Sequence, residues 1–375
     1  MRLGGWERFR FMALVGVGAR PATSIGEGAS PTCILVRHRV LTLRLRPLRH
    51  RRLRCRLRSP THKKCEVMTD MRTQKIPNME VAVPKGSAFA FETDDYMFRS
   101  HQSMLLIAPR GGGKTVCATE IIDRMKYDRV FCISPSVQSN KALMDRLHLD
   151  PDDIYDPEDL DAIDSIKQKI DEERDAWEKY LEDSKRYKKF MRQLESESPV
   201  FGIPDDLLLM FYSNGTFQKP KSRYGHKPHL AVMLDDVVGS AQFTKGIRKL
   251  NKLTIYHRHH GQLKEGGALG VSLYFLVQSY KAQAGGISKC IRNNVTTLVV
   301  FKTKSERELQ EIQEECGAEV CKETFYKMYN YATEGDHNCL IIDLHWKKGI
   351  HPSGFRKNLN EFLIPDDFIS QPDCK

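Results

Sequence analysis

No stretch constrains this chain more than Met104–Thr115, MLLIAPRGGGKT. Met104–Ile107 is an apolar run of strand length. Ala108-Pro109-Arg110-Gly111-Gly112-Gly113-Lys114-Thr115 follows, and Val116–Met125 then has the composition of a helix. Strand, glycine loop and helix in that order are the parts of a phosphate-binding loop, or P-loop. Its glycines let backbone N–H groups curl around a polyphosphate, and the helix N-terminus adds a favourable partial charge. In that reading Ala108 to Thr115 cradle ATP, Lys114 reaches the β- and γ-phosphates, and Thr115 ligates Mg²⁺. The strict pattern opens with Gly, where this chain has Ala108. The plain alternative is a glycine-rich turn between a strand and a helix.

A P-loop needs carboxylates from elsewhere in its sheet, and His229–Asp236, HLAVMLDD, offers them. It reads as a fully apolar strand ending in two acids. Asp235 is the candidate Mg²⁺ ligand, through the ion's water shell, and Asp236 the candidate base that polarises an attacking water. Many chains of this type have Glu at the second position, and Asp is one methylene shorter. Leu269–Gln278 is another buried strand whose last residue, Gln278, falls on the edge where open α/β sheets bind ligands. Gln278 is therefore a candidate to sense the γ-phosphate or orient water; ending a strand is its plain alternative.

The remaining pieces fit an α/β domain. Arg129–Ser134, Val295–Phe301 and Asn338–Asp343 read as strands, Asn140–Leu147 as a short helix and Asp150–Asp159 as an acidic loop. From Leu160 a long polar helix begins, with Ile163, Ile166, Ile170, Trp177, Tyr180, Tyr187, Met191 and Leu194 at 3-4 spacing, interrupted at Glu173 and Ser184. It is either an arm reaching a neighbouring subunit or a helix lying across its own domain. Pro204–Tyr212 is a capped apolar helix or strand, and Asn214–Lys227 a basic loop. Ser305-Glu306-Arg307-Glu308 has the spacing of a capping box. The expected boundaries are a leader over 1–67, a segment over 68–97, a catalytic domain over 98–345 with a helical insertion about 158–197, and a polar tail over 346–375.

Net charge misleads here. The chain carries +11 overall, but residues 1–67 hold fourteen Arg and two Lys against three Glu, a net +13, leaving −2 for the other 308 residues. The basic balance belongs to the leader and says nothing about what the catalytic part binds. That leader reads as a transit peptide, as a basic nuclear or nucleic-acid arm, or as an over-extended reading of a gene that starts at Met68, Met71 or Met79. No apolar run approaches the ~20 residues of a membrane helix. Ten scattered cysteines without a CxxC pair point to free thiols in a reducing intracellular compartment. His257-Arg258-His259-His260 has no carboxylate or thiol at ligand spacing, which speaks against a metal site.

The order of pieces, from P-loop strand through strand-DD and a Tyr-His-Arg-His-His stretch to a strand ending in Gln278 and then Arg292, resembles the HerA/FtsK superfamily. More closely it resembles the genome-packaging ATPases of poxvirus-like large DNA viruses, virophages and Polinton (Maverick) elements. The resemblance spans about 98–343, and its most specific mark is His-Arg-His before the Gln strand. It implies a RecA-like, mostly parallel sheet flanked by helices, and a homo-oligomeric ring that hydrolyses ATP to drive double-stranded DNA into a capsid. It further implies a capsid or portal-like vertex partner, a location in a virus factory, virion or host nucleus, and an arginine supplied in trans. Arg258 is the favoured candidate for that arginine and Arg292 the second. The rival readings are a P-loop phosphotransferase acting on a small molecule and a non-catalytic nucleotide-binding scaffold.

Overall fold

A computed structural model describes residues 93–194, 219–281 and 286–365, together with Asp205 and Leu209. The chain divides into Met1–Met79 and Glu80–Lys375, and every described residue lies in the second unit. The leader therefore falls outside the described residues, as do most of 195–218 and the last ten positions.

Among the described residues nine strands form one sheet. In chain order they are β1 (Ser103–Ile107), β2 (Arg129–Ile133), β3 (Ile154–Tyr155), β4 (Leu230–Asp235), β5 (Ser272–Val277), β6 (Thr297–Phe301), β7 (Cys339–Asp343), β8 (Phe355–Lys357) and β9 (Glu361–Leu363). Their spatial order is β3-β2-β4-β5-β1-β6-β7-β8-β9. The first six in that order are parallel, and β7, β8 and β9 continue antiparallel. The sheet is thus RecA-like and mostly parallel, as the resemblance implied. It does not stop at Asp343, however: residues expected to be a polar tail supply two more strands. Their polar look deceives because Arg356 is only 1% exposed. Its guanidinium is clasped between the rings of Phe98 and Phe362, at 4.9 and 4.4 Å.

Strand alternation divides the core into two layers. Met104, Leu106, Met233 and Leu276 face one side, where α1 (Lys114–Met125) and α2 (Lys141–Arg146) cover them. Leu105, Ile107, Val232, Leu234 and Phe275 face the other. That side is covered by α3 (Ala162–Leu194), α4 (Ile247–Tyr256), α5 (Lys289–Asn293), α6 (Glu306–Cys316) and α7 (Lys322–Ala332). Burial on both faces is what apolar parallel strands require.

The long helix lies on its own domain. Ile163, Ile166 and Ile170 are core residues. Glu173, which broke the apolar spacing, is a buried carboxylate that accepts from Arg129 at 3.0 Å and Arg223 at 2.8 Å. The basic loop thus spends Arg223 on this helix, and Tyr224 donates to the same carboxylate. Farther along, Glu178 accepts from the Lys264 backbone N–H at 2.7 Å, and Lys185 pairs with Glu265. The acidic loop before it also holds more structure than expected. Asp153 is buried, takes Arg129 in a two-pronged pair and also meets Lys169.

The expected strand from Leu269 starts three residues late, at Ser272. Gly270 there has φ +67°, and its backbone passes so close to His101 that a Cβ would meet the ring nitrogen at 2.6 Å. Among the described residues no helix is long and apolar enough to cross a membrane.

Candidate phosphate-binding site

The edge of the sheet that a strand reaches decides where the residues following it stand. β1 ends at Ile107, and the loop leaves from there, with the Ala108 N–H donating to the Val277 carbonyl of β5 at 3.1 Å. Ala108 is buried and joins the core layer beneath α1. A methyl in place of the pattern's first glycine is therefore absorbed by packing. The chain then turns: the Gly112 N–H donates to the Pro109 carbonyl, and Gly113 takes φ +99° as α1's cap. A Cβ on Gly112 would lie 3.0 Å from both Ala108 Cβ and Pro109 O. Arg110 and Gly111 stand exposed at the tip, and α1 begins at Lys114, two residues earlier than its composition suggested.

The two acids arrive from β4, which is separated from β1 only by β5. Thr115 Oγ1 donates to Asp235 Oδ2 at 3.2 Å. Asp235 is 3% exposed, and its other oxygen, Oδ1, is buried without a partner among the described residues. Burial, and next the charge of Asp236, raise its pKa to about 6, against the pull of Lys114 and Thr115. Asp236 follows the strand with φ +53°, leaves its side chain 41% exposed and pairs with the Lys114 ammonium. Lys114, Thr115, Asp235 and Asp236 are therefore one cluster.

An orphaned carboxylate oxygen beside a threonine hydroxyl suits a hard cation, so the residues fit Mg²⁺. Among the described residues no group of three His, Cys, Asp or Glu could cage a metal alone. Asp235 and Thr115 are the residues that would hold it.

Gln278 follows β5 directly and is exposed at the same edge, one strand from the loop. The adjoining turn is fixed by α6, where Glu308 Oε1 accepts from Ser279 Oγ at 2.9 Å and also from the Tyr280 N–H. Ser305 does cap α6, accepting from the Glu308 N–H at 3.2 Å. The reciprocal half of the capping box is absent, because the Ser305 N–H goes to Thr303 Oγ1.

Arg258 lies elsewhere. It sits in the single turn His257–His259 after α4, and the Val271 N–H, just before β5, donates to the His257 carbonyl. That is the opposite, N-terminal edge. Neighbouring His257 is a core histidine whose ring meets the carbonyls of Thr254 and His101. Arg258 is exposed and makes no ion pair among the described residues. Arg292, the second candidate, is committed within its own domain: it donates to Glu315 at 3.1 Å and to the Ile287 carbonyl, and lies over the Tyr280 ring.

The structure adds residues that no motif announced. A cleft of about 800 Å³ opens at the loop and is lined beyond Lys114 by His337, Cys339, Asn358, Leu359 and Asn360. His337 stands in a turn at φ +61°, with its ring against Gly113. The one hint in sequence is the turn-forming run Gly335-Asp336-His337-Asn338, which says nothing of its neighbour.

No protein-family profile and no curated protein matches the sequence. Among solved structures, the chain is similar to the genome packaging NTPase B204 from Sulfolobus turreted icosahedral virus 2 in complex with AMPPCP. That likeness has 12% identity and a TM-score of 0.36, over 69% of this chain and 96% of that one. The pCW3 conjugation coupling protein TcpA follows at 13% identity and TM-score 0.32, over 64% of this chain and 57% of that one. The cytoplasmic domain of the Thermomonospora curvata Type VII secretion ATPase EccC matches at 13% and 0.31, over 65% and 24%. These likenesses are distant, and nothing about ligand, partner or activity transfers from them to this chain.

Proposed function

We propose that the chain is an ATP-hydrolysing motor that moves double-stranded DNA as a homo-oligomeric ring, packaging the genome of a virus or Polinton-type element into a capsid. The observation that carries the catalytic part is the meeting of Lys114 and Thr115 with Asp235 and Asp236 at one sheet edge. Phosphate oxygens compete with Asp236 for the Lys114 ammonium. As Lys114 turns to the phosphates, Asp236 is released, half-exposed, to accept a hydrogen bond from the attacking water. Asp235 and Thr115 would hold Mg²⁺, which would supply neutralisation of the phosphate charge. Gln278, one strand away, is the candidate to orient the water.

The motor part rests on the sequence resemblance and on Arg258. About 16 Å of sheet, five residues at ~3.3 Å each, separates its edge from the P-loop edge. That separation favours service to a neighbouring subunit's nucleotide over its own. The test is phosphate release by the full-length protein with and without duplex DNA. Hydrolysis stimulated by duplex supports the reading. Absence of hydrolysis, or transfer of phosphate to a small-molecule acceptor, overturns it.

A further inference from the structure

Two thiols meet beside the P-loop, and phosphate chemistry uses neither of them. Because β7 reverses against β6, its first residue, Cys339, pairs with Phe301, the last of β6, and so stands at the edge from which the P-loop springs. Cys339 is 1% exposed and belongs to the core layer beneath α1. Cys117, the fourth residue of α1, is half-buried and packs against the same layer. The two sulfurs share a hydrogen bond, and both side chains line the cleft of about 800 Å³.

The chain around the two thiols closes a circuit through one glycine. The Cys117 N–H donates to the Gly113 carbonyl at 3.0 Å. Two residues before Cys339, His337 rests its ring against that same Gly113. Cys339 itself is anchored: Asn358 Oδ1 accepts from its N–H at 3.0 Å and from its Sγ at 3.5 Å. A change in the separation of the two sulfurs is therefore felt at Gly113, whose φ of +99° shapes the end of the loop. A metal does not account for the pair. Two sulfurs leave its shell open, and among the described residues no group of three His, Cys, Asp or Glu could hold an ion. Both cysteines are free, so the chemistry open to them is with each other.

We propose that Cys117 and Cys339 are a redox modification site: a hydroperoxide joins them as a disulfide, and the new bond closes the P-loop to nucleoside triphosphate. The open cleft admits a small peroxide to Cys117. With hydrogen peroxide, the Cys117 sulfur takes one oxygen as the O–O bond breaks, giving a sulfenic acid and one water. The Cys339 sulfur then displaces that oxygen as a second water while the S–S bond forms. The two thiols lose two electrons and two protons, and the peroxide is reduced to two waters. Bonded sulfurs stand about 2 Å apart. That approach draws the start of α1 towards β7 and presses Gly113 onto His337. In reducing compartments disulfides of this kind are transient and redox-sensing.

The inference rests on the P-loop reading, and two readouts keep them apart. Full-length protein is treated with hydrogen peroxide and digested with trypsin without reductant. Peptide 115–124 is expected bonded to 328–347, each holding one cysteine, and to be freed by dithiothreitol. Absence of the linked peptide overturns the site. Calorimetry with Mg²⁺ and ATP follows. Oxidation is expected to weaken ATP tenfold or more, and dithiothreitol to restore it. Cys117→Ala should bind ATP within twofold of reduced wild type, before and after peroxide. Linked protein that binds ATP as tightly as reduced protein overturns the closure. Reduced protein that binds no ATP overturns the P-loop reading and the closure with it, while the linked peptide still decides the thiol pair. A measurement on unaltered protein guards against misfolding of the variant. Because coupling is reciprocal, saturating ATP should lower the disulfide-to-dithiol ratio about tenfold in a glutathione redox buffer. An unchanged ratio counts against the closure.

Discussion

Asp236 holds a backbone conformation, φ +53°, that few side chains tolerate but that Asp and Asn both accept. Asp236→Asn is therefore a clean chemical change. It is expected to keep nucleotide binding and to lower turnover about 100-fold or more, the usual scale for loss of a general base. Lys114→Ala and Asp235→Ala are each expected to abolish hydrolysis. Phosphate release beside a fluorescent-nucleotide titration checks all three, and near-normal turnover of Asp236→Asn would move the base to another carboxylate. Gly270 makes a purely structural counterpart. Its positive φ and the His101 ring 2.6 Å from a hypothetical Cβ predict that Gly270→Ala costs about 2 kcal/mol in denaturant unfolding. The site residues were legible in sequence where chemistry is local, as at Lys114-Thr115 and Asp235-Asp236. His337 was not, because its meaning depends on Gly113, more than two hundred residues away in the chain.

Among the elements, α3 shows how a pattern can hide a contact. Glu173 interrupts an apolar repeat, which on sequence grounds weakens the case for packing, yet its carboxylate pins the helix to Arg129 and Arg223. Glu173→Ala is expected to cost about 2 kcal/mol. That is less than the loss of a whole buried pair, because Arg129 keeps Asp153. A denaturant midpoint within error of wild type would mean that the helix is held by its isoleucines alone. The strands show the reverse case. β1, β2, β4, β5, β6 and β7 were readable because both faces are apolar. β8 and β9 were not, since each has three residues and the centre of β8 is Arg356, whose burial depends on rings from distant parts of the chain.

At the scale of the whole molecule, buried histidines set the response to acid. Burial holds His101 and His260 at about 4 and His229 at about 3, below the 6.5 expected when unfolded. The unfolded chain thus takes up these protons first, and stability present above pH 6.5 is lost as pH falls towards 4. Fully expressed, the loss is roughly 3 kcal/mol each for His101 and His260 and roughly 5 kcal/mol for His229. Asp235 and Asp343, both raised by burial to about 6, oppose part of that loss below pH 6. His229→Gln is expected to shrink the fall in melting temperature between pH 7 and pH 5, and an unchanged fall refutes the assignment. Assembly has its own test. Arg258→Ala and Lys114→Ala subunits, each inactive alone, should regain partial ATPase activity when mixed; no recovery in verified mixed rings removes Arg258 from the trans role. Among the described residues the sheet is bordered by a two-residue β3 on one side and a three-residue β9 on the other. So few unpaired amides cannot knit neighbours into a shared sheet. In the ring proposed above, contact between copies would fall instead to helices and loops, joints that can pivot where a continuous hydrogen-bonded seam would be locked.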